Sequence, residues 1–376
     1  MKVNRKILAV TVGMISCGAV CRGQNLPRPE FVYDIGFELR FDNREYDRSS
    51  YSPSGTIFGT RLYPSVGLKL DTGDAVHTIA AGAEVRKDFG DINTLGKELL
   101  KDFFYYYSFR THLGEGMFTI DGGVFPRVKC REQWSTAFFS EKHLWYDPYI
   151  EGMLFRYEKP GLNVELGCDW MGMYGSDTTV NEQFMIFSAG HWDLSRIFRL
   201  GYNFYMVHFA NSVTVRGVCD NILAEPYLTA DFAPLMPMVF DECSLKLGYL
   251  QSAQRDRTKT SDFQTPALTE VSAKLSKRGF SVHNSFYAGS DIMPLYSQTD
   301  AAGTAFGDRL YFGDPYLRIY DSEDANSGWY DRLEMSYSTM LGRKLNIKFA
   351  WVMHFNSGIY SGCQQIVTLN YALGRR

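Results

Sequence analysis

The charged residues that could do chemistry in this chain come in alternating rows. Asp34, Glu38 and Arg40 stand at even spacing within 31–41, Glu84 and Arg86 within 78–86, and Asp102 and Arg110 within 101–113, while Arg199 opens a further alternating run at 198–206. In an extended chain, residues two apart share a face. Each row therefore presents cations and carboxylates to one side and apolar residues to the other. Facing a wet interior, Arg40, Arg86, Arg110 and Arg199 would form a basic wall, with Asp34, Glu38, Glu84 and Asp102 opposite. Such walls create a transverse field that sorts small hydrophilic solutes by charge and size. The plainer alternative is that these side chains only wet the interior.

Other chemistry is thinly represented. The seven histidines, His77, His112, His143, His191, His208, His283 and His354, have no partner at metal-site or Ser–His dyad spacing. His283 shares its strand face with Ser281 and Ser285, which leaves a lipase-like arrangement at a barrel wall open beside the reading of a strand histidine in a wet lumen. The glycines of Gly122-Gly123 and Gly313-Asp314 lack the Lys and the helix of a phosphate loop. The acidic stretch Asp321-Ser322-Glu323-Asp324-Ala325-Asn326 lacks the distal Glu of an EF-hand, so it reads as a solvated loop. No catalytic residue, metal or cofactor is assigned, and the expectation is a protein that is not an enzyme.

The elements that position these rows follow from the whole chain. Lys2, Arg5 and Lys6 precede an uncharged run from Ile7 to Cys21, the pattern of a secretory signal with cleavage after Gly23. Met14-Ile15-Ser16-Cys17 loosely resembles a lipobox, a lesser alternative. Residues 1–23 are thus expected to be the signal and 24–376 one barrel domain. Formal charge is −3, and taking away the four cations of the signal leaves −7, which argues against a nucleic-acid partner. Aromatic residues make up 15% and mean hydropathy is −0.22, the mixture expected when half the strand residues face lipid and half face water. Five cysteines remain after the signal, with no CxxC spacing, and read as small strand hydrophobes.

Period-two alternation recurs at 31–41, 62–70, 78–86, 101–113, 118–124, 162–170, 198–206, 245–249, 271–275 and 280–286. Further strand signals lie at 316–320, 329–341, 344–356 and 363–373. The run at 198–206 continues into Tyr205 and Val207, which make it apolar on both faces. Together these predict an all-β, antiparallel, up-and-down transmembrane barrel of about 16 strands, within 14–18. A secreted sandwich or propeller would also alternate, but the charges of both signs on the polar rows suit a wet lumen better than a dry core. Four longer irregular segments, 42–56, 127–148, 208–221 and 289–315, are candidate extracellular loops or an inward-folded constriction.

Several short motifs carry a resemblance. They are Gly23-Gln24, Gly123-Val124-Phe125-Pro126-Arg127, Asp147-Pro148-Tyr149-Ile150-Glu151-Gly152, Cys168-Asp169-Trp170-Met171-Gly172, Gly313-Asp314-Pro315-Tyr316 and Tyr330-Asp331-Arg332-Leu333. With these the chain resembles the porin-like outer-membrane proteins of Bacteroidetes, which implies a barrel in the cell outer membrane and suggests solute passage. The preferred function is a channel for passive diffusion, with outer-membrane lipid and small hydrophilic solutes as partners and a homo-oligomer possible in principle. Two alternatives stand beside it: an outer-membrane barrel hydrolase of lipase or protease type, and a plugged structural or adhesion barrel.

Overall fold

The computed structural model describes residues 28–46, 54–91, 99–318 and 328–375. The expected signal, 1–23, and the acidic stretch 321–326 lie outside them. The alternating runs form β1 (Glu30–Tyr46), β2 (Gly55–Asp71), β3 (Ala75–Asp88), β4 (Leu100–Leu113), β5 (Gly116–Pro126), β6 (Tyr149–Lys159), β7 (Leu162–Gly172) and β8 (Gln183–Asp193). The second half contributes β9 (Phe198–Phe209), β10 (Cys219–Asp231), β11 (Glu242–Asp256), β12 (Ala267–Lys277), β13 (Phe280–Gly289), β14 (Gly328–Leu341), β15 (Leu345–Asn356) and β16 (Ile359–Arg375). Every strand pairs antiparallel with its sequence neighbours, and β1 pairs with β16 from Tyr33↔Arg375 to Tyr46↔Gly362, closing a sixteen-strand barrel.

The two faces separate as the period-two pattern requires. Phe31, Leu62, Ile79, Tyr105, Leu166, Leu247, Phe280 and Trp351 are exposed on the outside, where lipid covers them. Among the described residues no helix is long and apolar enough to cross a membrane. The start of β1, the end of β16 and the tightest turns, such as 72–74, 114–115 and 160–161, gather at one end, and the long connections at the other. By the rule that outer-membrane barrels keep short turns on the periplasmic side, the long end is extracellular.

Two long connections do not stay outside. Residues 127–148 and 290–318 fold into the extracellular half of the lumen and pack on each other as a plug. Phe138, Phe306, Leu310 and Tyr311 of the plug are essentially inaccessible, packed with the inward wall residues Phe125, Leu154, Phe187, Tyr205, Val207, Tyr287 and Tyr330. The polar wall residues satisfy the plug's backbone, which has no ladder of its own. Arg156 donates to the Lys129 carbonyl at 2.6 Å, Asn203 to Gln133 at 3.2 Å, Gln183 to Arg309 at 2.7 Å and Asn221 to Leu310 at 2.8 Å. The Arg131 N–H donates to Glu165. The strand signal at 316–320 fails over its described residues, because Asp314 caps a single 3-10 turn, Pro315–Leu317, buried in the plug. The aromatic character that read as a strand there serves plug packing instead. Of the other two irregular segments, 42–56 and 208–221, the second holds an extracellular connection, 210–218, between β9 and β10. The described residues of 42–56 lie mostly in the ends of β1 and β2, and 47–53 fall outside the described residues.

The plug halves join by backbone. Ser140 N–H donates to the Phe312 carbonyl and Asp314 N–H to the Thr136 carbonyl, each at 2.7 Å. Gly313 lies between these bonds, and a Cβ there would run into the Ala137 carbonyl. Gly313→Val is therefore expected to part the two segments at a cost of about 1–3 kcal/mol without unmaking the barrel. Heat-modifiable electrophoretic mobility should persist, while trypsin should newly cut between Arg127 and Lys142; an equally resistant plug would contradict this packing.

Candidate functional site

The inward charges named from the sequence sit mostly around the plug helix α1 (Glu141–Tyr146). Arg40 on β1 donates to Asp42 at 3.1 Å and to Glu141 at 2.5 Å, and Arg332 on β14 approaches Glu141 at 3.5 Å. At the other end of α1, Arg61 and Arg86 donate to the Trp145 carbonyl at 3.5 and 3.2 Å, and Arg86 also to Tyr146 at 3.0 Å. They thereby satisfy carbonyls that a helix end leaves unpaired. Glu38 holds Arg61 at 2.5 Å, and Glu84 lies 3.5 Å from Arg86. Asp102 pairs across strands with Glu84. Asp34 and Arg110 line a cavity of about 380 Å³ beneath the plug, together with Lys69, Lys129 and Arg156. Arg199 is at the periplasmic mouth, 2.6 Å from Asp193. Seven of these eight residues lie on β1, β3 and β4, within four consecutive strands, so acids and bases mix along one wall; Arg199 alone stands on β9.

The plug's own titratable groups are strongly perturbed. Burial pushes the Glu141 carboxyl up, but Arg40 and Arg332 outweigh it and hold it at about 2. Burial, aided by Arg127, lowers His143 to about 3, so its ring is neutral. Burial raises Asp147 to about 6 against the pull of Arg127.

A second constellation lies outside the barrel at the extracellular rim, and sequence reasoning missed it. Register places Trp170 on β7 beside Phe184 on β8, then His208 on β9, Asp220 on β10 and Arg255 on β11. All five are within three residues of their strands' extracellular ends, on the lipid-facing parity. Trp170 stacks on Phe184 with centroids 5.3 Å apart, and Phe184 meets the His208 ring at 5.1 Å. His208 Nδ1 is 3.2 Å from Asp220 Oδ1. Arg255 Nε donates to Asp220 Oδ2 at 2.9 Å, and Arg257 reaches both oxygens at 2.8 and 2.9 Å. Arg255 also covers the Phe263 ring at 4.2 Å.

A carboxylate accepting from Nδ1–H fixes the histidine tautomer and leaves Nε2 with its lone pair. That is the base-and-orienter half of a hydrolytic triad. The two guanidiniums add anion recognition, and the aromatic end of the row is what a membrane boundary selects. The sequence hid this row because 208–221 read as a loop, and its members unite only by register across five strands.

The comparisons agree with an enzyme more than with a passive wall. Residues 32–372 match the family model described as Lipid A 3'-O-deacylase-type. The chain belongs to that family. This overturns the expectation of a protein without enzymatic activity: an absence of local motif spacing carries no weight when a site is assembled between strands. No curated protein is significantly similar in sequence. Among solved structures, Pseudomonas aeruginosa OpdL aligns over 92% of this chain and 99% of its own at 10% identity, with TM-score 0.55. Pseudomonas aeruginosa OpdO aligns over 92% and 98% at 8% identity, with TM-score 0.52. These likenesses establish the fold, a porin-like barrel of the outer membrane.

Acid should loosen the plug. Glu141, depressed from 4.5, contributes stability above that value that is lost as pH falls toward about 2. His143, depressed from 6.5, loses its contribution between there and about 3. Asp147, raised from 3.8, acts oppositely up to about 6, offsetting His143 in that interval. Loosening is therefore expected mainly below about pH 4, as a red shift of emission from the buried Trp145 in a variant keeping it as sole reporter. Glu141→Gln should shift the emission already at pH 7; an unchanged spectrum there would show that the arginine grip on α1 is dispensable.

Proposed function

We propose that the protein is an outer-membrane acyl hydrolase working at the outer leaflet, with lipid A as its substrate and a 3'-linked acyl chain as the group removed. The observation that carries this reading is the lipid-facing row His208–Asp220–Arg255 at the extracellular rim, the height at which an acyl ester meets water. His208 Nε2 takes the proton of the attacking hydroxyl or water, Asp220 holds the ring and stabilises the imidazolium, and Arg257 and Arg255 engage a phosphate of the headgroup. Trp170 and Phe184 seat the acyl chain beside them. The family match supports the reaction class, and the packed extracellular half of the lumen supports a site on the wall over one inside a pore. The short motifs quoted above support a Bacteroidetes origin.

Purified barrel in mixed micelles with lipid A should release one acyl chain, read by mass spectrometry. His208→Ala and Asp220→Asn should each slow release by about 10²–10⁴-fold, the usual worth of a positioned base. Arg257→Gln should raise KM more than it lowers kcat. Acyl release that is absent, or indifferent to His208, would sink the reading.

Solute passage is a second role favoured by one observation: the polar cavity lined by Asp34, Arg110 and Lys69 below the plug. It requires displacement of the plug. Planar-bilayer current should be near zero for the native protein and rise in Gly313→Val; a silent Gly313→Val barrel, shown to be inserted, would remove this role.

A further inference from the structure

Inside the barrel, below the plug, three small polar side chains form a triangle that neither the plug nor the rim site uses. Ser272 Oγ on β12 is 2.8 Å from His283 Nε2 on β13, Ser285 Oγ is 3.4 Å from the same nitrogen, and the two hydroxyls are 3.2 Å apart. Sheet geometry explains the meeting. Ser272 pairs with Ser285 and Lys274 with His283 in register, so the imidazole reaches diagonally to the serine two residues along the facing strand. On the other side, His283 pairs with Glu334 of β14. The Glu334 carboxylate is fixed by Arg332 at 3.0 Å and Lys348 at 2.7 Å. Lys274 is bound to Glu242 at 2.6 Å.

We propose that Ser272 and His283 are a nucleophile–base pair that takes short-chain carboxylic esters from the aqueous lumen, independently of the rim site. A hydroxyl in hydrogen-bond reach of a neutral imidazole nitrogen is the geometry of an activated serine. The Ser285 hydroxyl, 3.2 Å from Ser272 Oγ, stands beside the nucleophile as a donor for the oxyanion that would develop there. Glu334, the cross-strand neighbour of His283 on β14, sets a carboxylate on the same lumen-facing row.

Position decides the substrate class. All three groups have lumen-facing parity, so a lipid's acyl ester in the bilayer cannot reach them. Tyr287, which meets the plug through Thr136, lies four residues nearer the extracellular end on the same strand. That places His283 about 13 Å along the strand from that contact. Ser272 and Ser285 are only 7% and 5% exposed, and Ser285 pairs with Arg332, which reaches Glu141 of the plug. Only a small ester coming from the periplasmic side of the lumen therefore reaches the pair. In the reaction Ser272 Oγ bonds to the ester carbonyl carbon while its proton passes to His283 Nε2. The C–O bond to the alcohol breaks and the alcohol leaves with that proton. Water, deprotonated by the same nitrogen, then releases the carboxylic acid and restores Ser272.

The test is covalent labelling of the folded barrel in detergent with a short alkyl fluorophosphonate, read by intact mass and peptide mapping. Phosphorus bonds to the serine oxygen, fluoride leaves, and the proton goes to His283. One adduct on Ser272 is expected, with none in Ser272→Ala. His283→Ala, checked for heat-modifiable mobility, should label at least about 100-fold more slowly and regain part of the rate with added imidazole. A folded native barrel that stays unlabelled, an adduct on Ser285 in place of Ser272, or a rate unchanged in His283→Ala would each overturn the proposal.

Discussion

Everything in this molecule depends on the bond between its first and last strands. Hydrocarbon offers no partner to a backbone N–H or C=O, so a sheet in the membrane is stable only without edges. β1 and β16 meet that demand through continuous antiparallel pairing, with Phe37 opposite Tyr371 and Arg40 opposite Thr368. The same closure fixes parity. A slip of one residue anywhere would turn Arg40, Glu84 or Glu165 into lipid and bring Leu or Phe inward. Register, strand count and the placement of every charge are therefore one decision.

Closure at sixteen strands leaves a lumen too wide for wall side chains to fill. The chain fills its extracellular half with residues 127–148 and 290–318. Two kinds of wall result. From β5 round to β14 the inward rows turn apolar where they meet the plug, as with Phe187, Tyr205 and Tyr287. On β1 to β3 they stay charged and clasp α1 at both ends, with Arg40 on Glu141 and Arg86 on the terminal carbonyls. The transverse field inferred from the alternating charges becomes a clamp because its arginines meet a helix before they meet an opposing wall.

Chemistry is placed where adjacent strands bring distant residues to one height. His208 and Asp220 are twelve residues apart in the chain, and Asp220 and Arg255 thirty-five, yet each pair is cross-strand neighbour to neighbour. Ser272 and His283 meet by the same device on the opposite face. The barrel thus carries two constellations on opposite faces of neighbouring strands, one turned to lipid and one to the lumen; only the i, i+2 spacing of His283 and Ser285 was visible locally.

Much of the fold was legible in the residues. Period-two rows such as 31–41 and 162–170, charges of both signs on one parity and aromatics on the other specify a membrane barrel, because each face answers to its own solvent over short range. Tyr205 and Val207 even signalled a strand buried on both sides, though what covered the inner face was not legible. The strand reading of 316–320 failed since a short aromatic run looks alike in a sheet and in a packed plug. Which segments turn inward, which charges hold them and which histidine meets which carboxylate or serine were decided only by tertiary structure. Those contacts depend on register between strands and on the volume left by closure, quantities set by the whole ring of hydrogen bonds and by no single stretch of chain.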